Sequence, residues 1–138
     1  MKIKQLTVFV ENKVGYIAGI CGILAENDID MKAFSVADTK DFGILRLIVN
    51  DPEKALAVLS ARGMLGKITE VIGVKIPNRP GELSKALSAL SAAGINVEYL
   101  YAFLAGTPDS AYVVIKATDD TAARKVFKNA GFNGVEEF

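Results

Sequence analysis

Hydrophobic and polar residues alternate with a period of two from about Ile3 to Val10. Leu6, Val8 and Val10 share one face, and Thr7 and Phe9 the other. That period predicts a strand with one face buried. From about Gly15 to Asn27 the period lengthens. Ile17, Ile20, Cys21 and Leu24 stand at i, i+3, i+4 and i+7, the stripe of an amphipathic helix. Strand-like patterning returns over Ile29 to Ala37 and Phe42 to Asn50. Asp51-Pro52 then places a capping side chain ahead of a proline at the first helical position, and Gly63 supplies a stop. A second helix is expected between them.

The same order occurs twice. Asn12-Lys13-Val14-Gly15-Tyr16-Ile17 recurs as Asn78-Arg79-Pro80-Gly81-Glu82-Leu83, an offset of 66 residues. At that offset Ile17, Ile20, Cys21 and Leu24 fall on Leu83, Ala86, Leu87 and Leu90, while Ile29 and Asp30 fall on Ile95 and Asn96. Beyond a turn around Gly106-Thr107-Pro108 the offset becomes 68, which sets Asp41 on Asp109 and Gly63 on Gly131. Extra residues in a turn cost little, so the pattern reads as an internal duplication. The second copy predicts strands near 71–76, 95–104 and 111–117, helices near 81–93 and 120–130, and a short last strand from Val135 to Phe138. The fold class expected is α+β: two ferredoxin-like βαββαβ units, each an antiparallel four-stranded sheet with helices on one face. The expected domains are 1–69 and 70–138.

Lys67 to Ile76 has to supply the last strand of one copy and the first of the next, with no flexible linker between them. This predicts rigidly docked halves, since copies this small lie near the lower limit for independent folding, and leaves open whether the two sheets share one continuous strand. In the third strands, Leu45, Leu47 and Val49 match Val113, Ile115 and Ala117 as the face that meets the helices. The opposite face, Ile44, Arg46 and Ile48 with Tyr112, Val114 and Lys116, is also mostly apolar. Covering it calls for the sister copy or another chain, so self-association as a homodimer is expected.

Composition removes whole classes of function. The 16 basic and 16 acidic side chains cancel, and the chain holds no His, no Trp and one Cys. A neutral chain lacks the basic excess of a nucleic-acid binder. Without His, neither Ser–His nor Cys–His catalysis can be assembled, nor can the usual zinc and iron–sulfur ligand sets. The apolar run Ile17 to Ala25 is too short to span a membrane. A lone thiol and no export signal point to the cytoplasm. The reading is therefore of a non-enzyme without metal or cofactor, away from nucleic acid and membrane.

Chemistry concentrates at the loop before the first helix of each copy, Asn-basic-X-Gly. A helix N-terminus presents unpaired N–H groups and partial positive charge to a carboxylate or phosphate. Glycine at the mouth permits close approach. Asn12 or Asn78 offers one acceptor and two donors, enough for both ends of a zwitterion, and Asp30 or Asn96 on the next strand is expected beside this loop. The competing reading is that Asn and Gly serve only turn geometry and helix capping.

The run Gly73-Val74-Lys75-Ile76-Pro77-Asn78-Arg79-Pro80-Gly81-Glu82-Leu83, followed by Ala93-Gly94-Ile95-Asn96-Val97, resembles an ACT domain. The second copy is similar to the serine-sensing regulatory module of phosphoglycerate dehydrogenase. Tyr112-Val113-Val114-Ile115 fits that module's third strand, and the first copy departs with Val14 for proline and Asp30 for asparagine. The resemblance implies a small-molecule ligand, an amino acid, held between the loop of one unit and strand two of a neighbour. It implies a regulated partner such as a metabolic enzyme. Contacts are implied for Asn12, Val14, Gly15, Tyr16 and Ile17 in the first copy. Asn78, Pro80, Gly81, Glu82 and Leu83 are their counterparts in the second, and Asp30, Met31, Asn96 and Val97 complete the sites. Serine-binding members carry a histidine two residues before the loop Asn, where this chain has Val10 and Ile76. That departure weakens serine as the ligand and leaves room for an apolar or aromatic amino acid. The differences Asp30 for Asn96 and Tyr16 for Glu82 suggest that one of the two pockets binds better.

Remaining features read as structural. Cys21 is expected as a buried thiol. Gly15, Gly19 and Gly22 match no phosphate loop, and close packing or ligand approach would account for Gly19 and Gly22 within a helix. Tyr99, Tyr101 and Phe103 alternate on one strand face and read as core or interface packing. Asp119-Asp120 opens a helix, and Glu136-Glu137 ends the chain. The alternative to a sensor is a ligand-free protein-interaction module built on the apolar sheet faces.

Overall fold

The computed structural model describes residues 1–38, 41–104 and 107–135. The first elements are β1 (Lys2–Glu11), α1 (Tyr16–Glu26), β2 (Met31–Asp38), β3 (Phe42–Val49) and α2 (Pro52–Ser60). A long strand follows, β4 (Gly66–Pro77), then α3 (Glu82–Ala92), β5 (Val97–Ala102), β6 (Ser110–Ala117), α4 (Asp120–Asn129) and β7 (Asn133–Gly134). The residues fall into two compact units, Lys4–Glu70 and Met1–Ile3 with the chain from Val71 onward. β4 is one uninterrupted strand, and both it and β1 contribute residues to each unit.

In the first unit the strand order is β2-β3-β1-β4. β1 pairs antiparallel with β3 through Leu6↔Leu47 and Val8↔Leu45, and β2 pairs with β3 through Phe34↔Leu47 and Val36↔Leu45. Because directly opposed residues share a face, Leu6, Val8, Leu45 and Leu47 form one apolar surface. Ile20, Ile23 and Leu24 of α1 and Ala55 and Leu59 of α2 close over it. Phe34 and Val36 lie on that same face of the edge strand, yet each is 47% exposed. A register shift between Met31 and Ala33 precedes them.

The second unit repeats the plan with order β5-β6-β4-β7. Ile72↔Ile115 and Val74↔Val113 build the central pair. Ala86 and Leu90 of α3 and Ala123 and Phe127 of α4 pack over it. Both units are thus βαββαβ, of α+β class, with the helices on one sheet face. On the other face Ile48 and Val114 are buried as well. The last strand starts earlier than expected from Val135. The chain folds back onto β4 directly after α4: Phe132 N–H donates to Phe127 O (2.9 Å) and Val135 N–H to Gly73 O (3.0 Å). The rest of that expected strand, with Glu136-Glu137, lies outside the described residues, as does Gly106 of the expected turn.

Gly73 is where this unit tolerates no side chain. Its N–H donates to Met1 O (2.7 Å), and a Cβ there would stand 2.0 Å from Ile3 Cδ1 and 2.8 Å from Val135 O. The approach of two chain segments to β4 therefore requires glycine. Gly19 and Gly22 differ. A Cβ at either meets nothing within 4 Å, so the close packing expected around them is absent among the described residues. Cys21 is half-buried rather than buried, since its position on α1 lies beside the core stripe and not in it. Tyr101 is buried, Tyr99 half-buried, and Phe103 meets Tyr112 edge-on at 5.9 Å, which is packing.

The two cores solve one volume problem in opposite ways. Where the first unit sets Ile20 and Leu59, the second sets Ala86 and Phe127, all fully buried or nearly so. Phe127 also meets Phe132 edge-on at 5.9 Å. A larger residue on one helix accompanies a smaller one on the other, as close packing demands. Phe127→Leu and Ala86→Ile are each expected to destabilise the protein in urea unfolding. The double variant restores the first unit's pairing and should lose less than the sum, a coupling of ~0.5–3 kcal/mol. Strictly additive losses would show that the two positions do not share the space.

Candidate functional site

The loops before α1 and α3 have one geometry. After β1, Lys13 N–H donates to Glu11 O (3.0 Å), Gly15 takes φ 82°, and Tyr16 N–H donates to Lys13 O (3.3 Å). After β4, Arg79 N–H donates to Pro77 O (3.0 Å), Gly81 takes φ 88°, and Glu82 N–H donates to Arg79 O (3.3 Å). A side chain in that left-handed region costs ~1–2 kcal/mol, which explains glycine at both positions. Gly15 and Gly81 are the N-cap residues, and neither helix receives a side-chain cap. The other two helices are closed. Asp51 accepts from Lys54 N–H (3.0 Å) at α2, and Asp119 from Ala122 N–H (3.0 Å) at α4. Asp120 instead accepts from Ala117 N–H (2.9 Å) and pairs with Lys116 at 2.6 Å. The capping role considered for Asn12 and Asn78 is therefore not filled; Tyr16 and Glu82 N–H are taken by the loop, and the first-turn N–H groups that follow them receive no side-chain cap.

Asn12 and Val14 are exposed. Tyr16 is half-buried against the first core, with Lys13 Nζ 5.6 Å from its ring centroid. The Glu11 carboxylate, 2.9 Å from Lys13 Nζ, raises that ammonium's pKa above the ordinary lysine value and keeps it charged. Asn78 is tied down: its N–H donates to Asp109 O (2.9 Å) and its Nδ2 to Pro108 O (3.3 Å). Ile17 and Leu83 stand 39% and 36% exposed on the first turns, beside Gly15 and beside Pro80 and Gly81.

Asp30 and Met31, and their counterparts Asn96 and Val97, do not join these loops within their own unit. Met31 pairs with Val49 at the far end of β3, whereas Phe42, at the near end, pairs with Glu11 just before the loop. An eleven-residue helix, about 16 Å long, separates them. This corrects the expectation that Asp30 or Asn96 sits beside the loop of its own copy. Asp30 N–H donates to Asn50 Oδ1 (2.9 Å), and its carboxylate pairs with Lys32 (2.7 Å). Asn96 N–H donates to Thr118 Oγ1 (3.2 Å). Met31 and Val97 pack against the cores.

One cleft in the second unit escaped the sequence reading. It lies between the start of α3, the end of β4 and the α4–β7 turn, with a volume of about 360 Å³. Lys75, Glu82, Lys85 and Asp109 line it together with Ile76 and Phe132. The Glu82 side chain is only 11% exposed, and its Oε1 accepts from Lys85 Nζ (3.1 Å) and Arg79 (3.3 Å). Each charge reads singly as a solvated surface group; only the fold gathers them. Among the described residues no cluster of His, Cys, Asp or Glu is placed to hold a metal ion. No described helix is long and apolar enough to cross a membrane.

Two βαββαβ units on one chain, each opening a helix N-terminus behind a left-handed glycine, are one unit repeated. The chain belongs to the ACT domain pair family, whose model matches residues 1–137; that family is one of regulatory, ligand-binding modules. It is similar to protein BT0572 from Bacteroides thetaiotaomicron, with 38% identity and a TM-score of 0.91 over 98% of this chain and 92% of that one. The regulatory subunit of aspartate kinase from Thermus thermophilus, in its ligand-free form, shares the fold at 19% identity and a TM-score of 0.66, covering 93% of this chain and 92% of that one. The corresponding Thermus flavus subunit does so at 20% identity and 0.63, covering 92% and 91%. No curated protein matches the chain.

The difference between capped and open helices has a direct test in urea unfolding. Asp51→Ala and Asp119→Ala should each cost about 1 kcal/mol. Asn12→Ala should change stability by less than ~0.5 kcal/mol. A loss near 1 kcal/mol at Asn12 would show that it caps α1.

Proposed function

We propose that the protein is a non-catalytic sensor of amino-acid metabolism, in which a free amino acid binds at the mouths of α1 and α3. The observation that carries this reading is the contrast among the four helices. The two second helices are closed by aspartate, while the two first helices open behind Gly15 and Gly81 with no cap. An uncapped N-terminus attracts a carboxylate, and an amino acid supplies one. Asp30 and Asn96 lie at the far end of their own unit from these loops and contribute, as the family resemblance implies, from a second chain, which makes a homodimer the working assembly. The Thermus proteins that share the fold are regulatory subunits of an enzyme, and the corresponding role here is adjustment of a metabolic enzyme in the cytoplasm. A coupling of ~1–3 kcal/mol between ligand and partner suffices for a several-fold change in activity.

A second reading, a ligand-free interaction module, draws on the exposed edge strand β2, where Phe34 and Val36 are 47% exposed on an apolar face. A thermal-shift screen against the twenty standard amino acids separates the two. Ligand at 100 times its dissociation constant stabilises the native state by ~2.7 kcal/mol, which raises the melting point by several degrees for a chain of this size. At least one amino acid is expected to give that shift without being turned over. Asn78→Ala with Asn96→Ala, or Asn12→Ala with Asp30→Ala, should weaken binding. A flat screen would favour the interaction module, and unchanged affinity in both double variants would refute this siting.

A further inference from the structure

We infer that Met1–Ile3 is a strap that closes the core of the second unit, and that the two copies exchange strand ends so that they open and close as one. The mouths of α1 and α3 then respond together, since a ligand at either one stabilises both units. The strap and the exchange stand on the fold alone. The shared response of the mouths rests on the proposed reading of the chain as an amino-acid sensor.

The strap lies within the second unit although it opens the first copy's β1. Met1 and Ile3 are 5% and 6% exposed, and Met1 packs in the second core with Ile72, Val74 and Phe127. One residue of β4 marks its seat. The Gly73 carbonyl accepts from Val135 N–H (3.0 Å), and the Gly73 N–H donates to the Met1 carbonyl (2.7 Å). The edge of β4 thus passes from β7 to the strap at Gly73. In the first unit the corresponding edge of β1 is covered by β4, with Phe9 N–H donating to Leu65 O (2.9 Å). Two glycines make room for the strap. A Cβ at Gly73 would run into Ile3 Cδ1, and one at Gly134 would stand 2.6 Å from Met1 Cγ and 2.7 Å from the Met1 nitrogen. Sealing this edge matters in a unit of about 70 residues, a size at which a single core has little stability to spare.

The exchange runs the other way through β4. Its first residues, Gly66–Glu70, belong to the first unit, where Ile68 packs against that core, and the rest belong to the second. Neither β1 nor β4 is broken where it passes from one unit to the other. β1 ends at Glu11, directly before the loop into α1, and β4 ends at Pro77, directly before the loop into α3. Each mouth therefore stands at the end of a strand whose beginning is held by the other unit. Opening either unit releases the start of the strand that carries the other's mouth. Continuous strands are the kind of rigid element through which two sites are coupled.

The test is native-state hydrogen exchange of the full chain, read at the amides of Leu47 in β3 and Ile115 in β6. In the wild-type protein both should report one opening equilibrium, equal to within about fivefold. Ile3→Ala should speed exchange at both amides at least tenfold, and Leu59→Ala, in the first core, should do the same. Gly134→Ala is the sharper probe of the strap. Gly134 is exposed and does not take a positive φ, so alanine there would otherwise leave stability unchanged or raised. With Met1 seated, it should speed exchange at both amides at least fivefold. Any of the twenty amino acids that binds should slow both amides by the same factor. A wild-type difference above fivefold, or a Leu59→Ala effect confined to Leu47, would overturn the exchange of strand ends; the wild-type comparison serves even if a variant fails to fold. Smaller effects than these at Ile115 in both Ile3→Ala and Gly134→Ala would overturn the strap. A ligand that slows one amide alone would overturn the shared response and leave the sensor reading standing. No binding by any amino acid would overturn the sensor reading and the shared response together, while the ligand-free comparisons still decide the strap.

Discussion

The antiparallel pairing at the centre of each unit, β1 with β3 and β4 with β6, fixes the position of everything else. Leu6↔Leu47 with Val8↔Leu45, and Ile72↔Ile115 with Val74↔Val113, hold the core faces in step. A slip of one residue would turn each apolar face outward. The same register decides which chemistry meets. It sets Glu11 opposite Phe42 and Pro77 opposite Ser110, so the loop before each first helix lies beside the turn into the third strand. It also carries the start of the second strand to the far end of the sheet, which is why Asp30 and Asn96 part from Asn12 and Asn78.

On this frame the helix termini divide into two kinds. The second helices follow the third strands through Asp51 and Asp119, whose side chains satisfy a first-turn N–H. The first helices follow their strands through a left-handed glycine that brings no side chain to the terminus. A cap stabilises by about 1 kcal/mol, so leaving two of four helices without one is a stability forgone. The omission falls at the same place in both copies. The fold repeats that difference because the left-handed glycine turn brings no side chain to the terminus, whereas the turns into α2 and α4 bring an aspartate.

Much of this was legible in the sequence because it is periodic. The stripe Ile17, Ile20, Cys21, Leu24, the apolar face Leu45, Leu47, Val49 and the stops at Gly63 and Gly131 read directly as elements, and the repeated Asn-basic-X-Gly marked the loops. What stayed hidden depends on register and on neighbours distant in sequence. Nothing local tells that Phe34 and Val36, patterned like core residues, lie on an edge strand and remain exposed. Asp30 follows the helix closely along the chain, and chain proximity concealed that it stands at the helix's other end. Lys75, Glu82, Lys85 and Asp109 come from a strand, a helix and a turn, so no spacing rule could group them. The exchange of Ile20 and Leu59 for Ala86 and Phe127 was hidden too, since hydrophobic patterning reports that a position is buried and not how large its neighbour is.

Duplication explains why the two copies can differ so sharply at one place while agreeing elsewhere. The backbone of the loop, the left-handed glycine and the open helix end recur with matching geometry, because the fold imposes them. Side chains around the mouth are free of that constraint, and there the first copy places Phe9 and Tyr16 where the second places Lys75 and Glu82. Holding a carboxylate at 11% exposure costs desolvation that its two partial ion pairs only offset. Those partners, Arg79 and Lys85, are themselves 71% and 69% exposed, so solvent screens their attraction for Glu82. An apolar residue would fit such a position more cheaply, as Tyr16 does in the sister copy. The helix terminus adds to that offset, because Glu82 stands in the first turn of α3, where the positive end of the helix dipole favours a carboxylate.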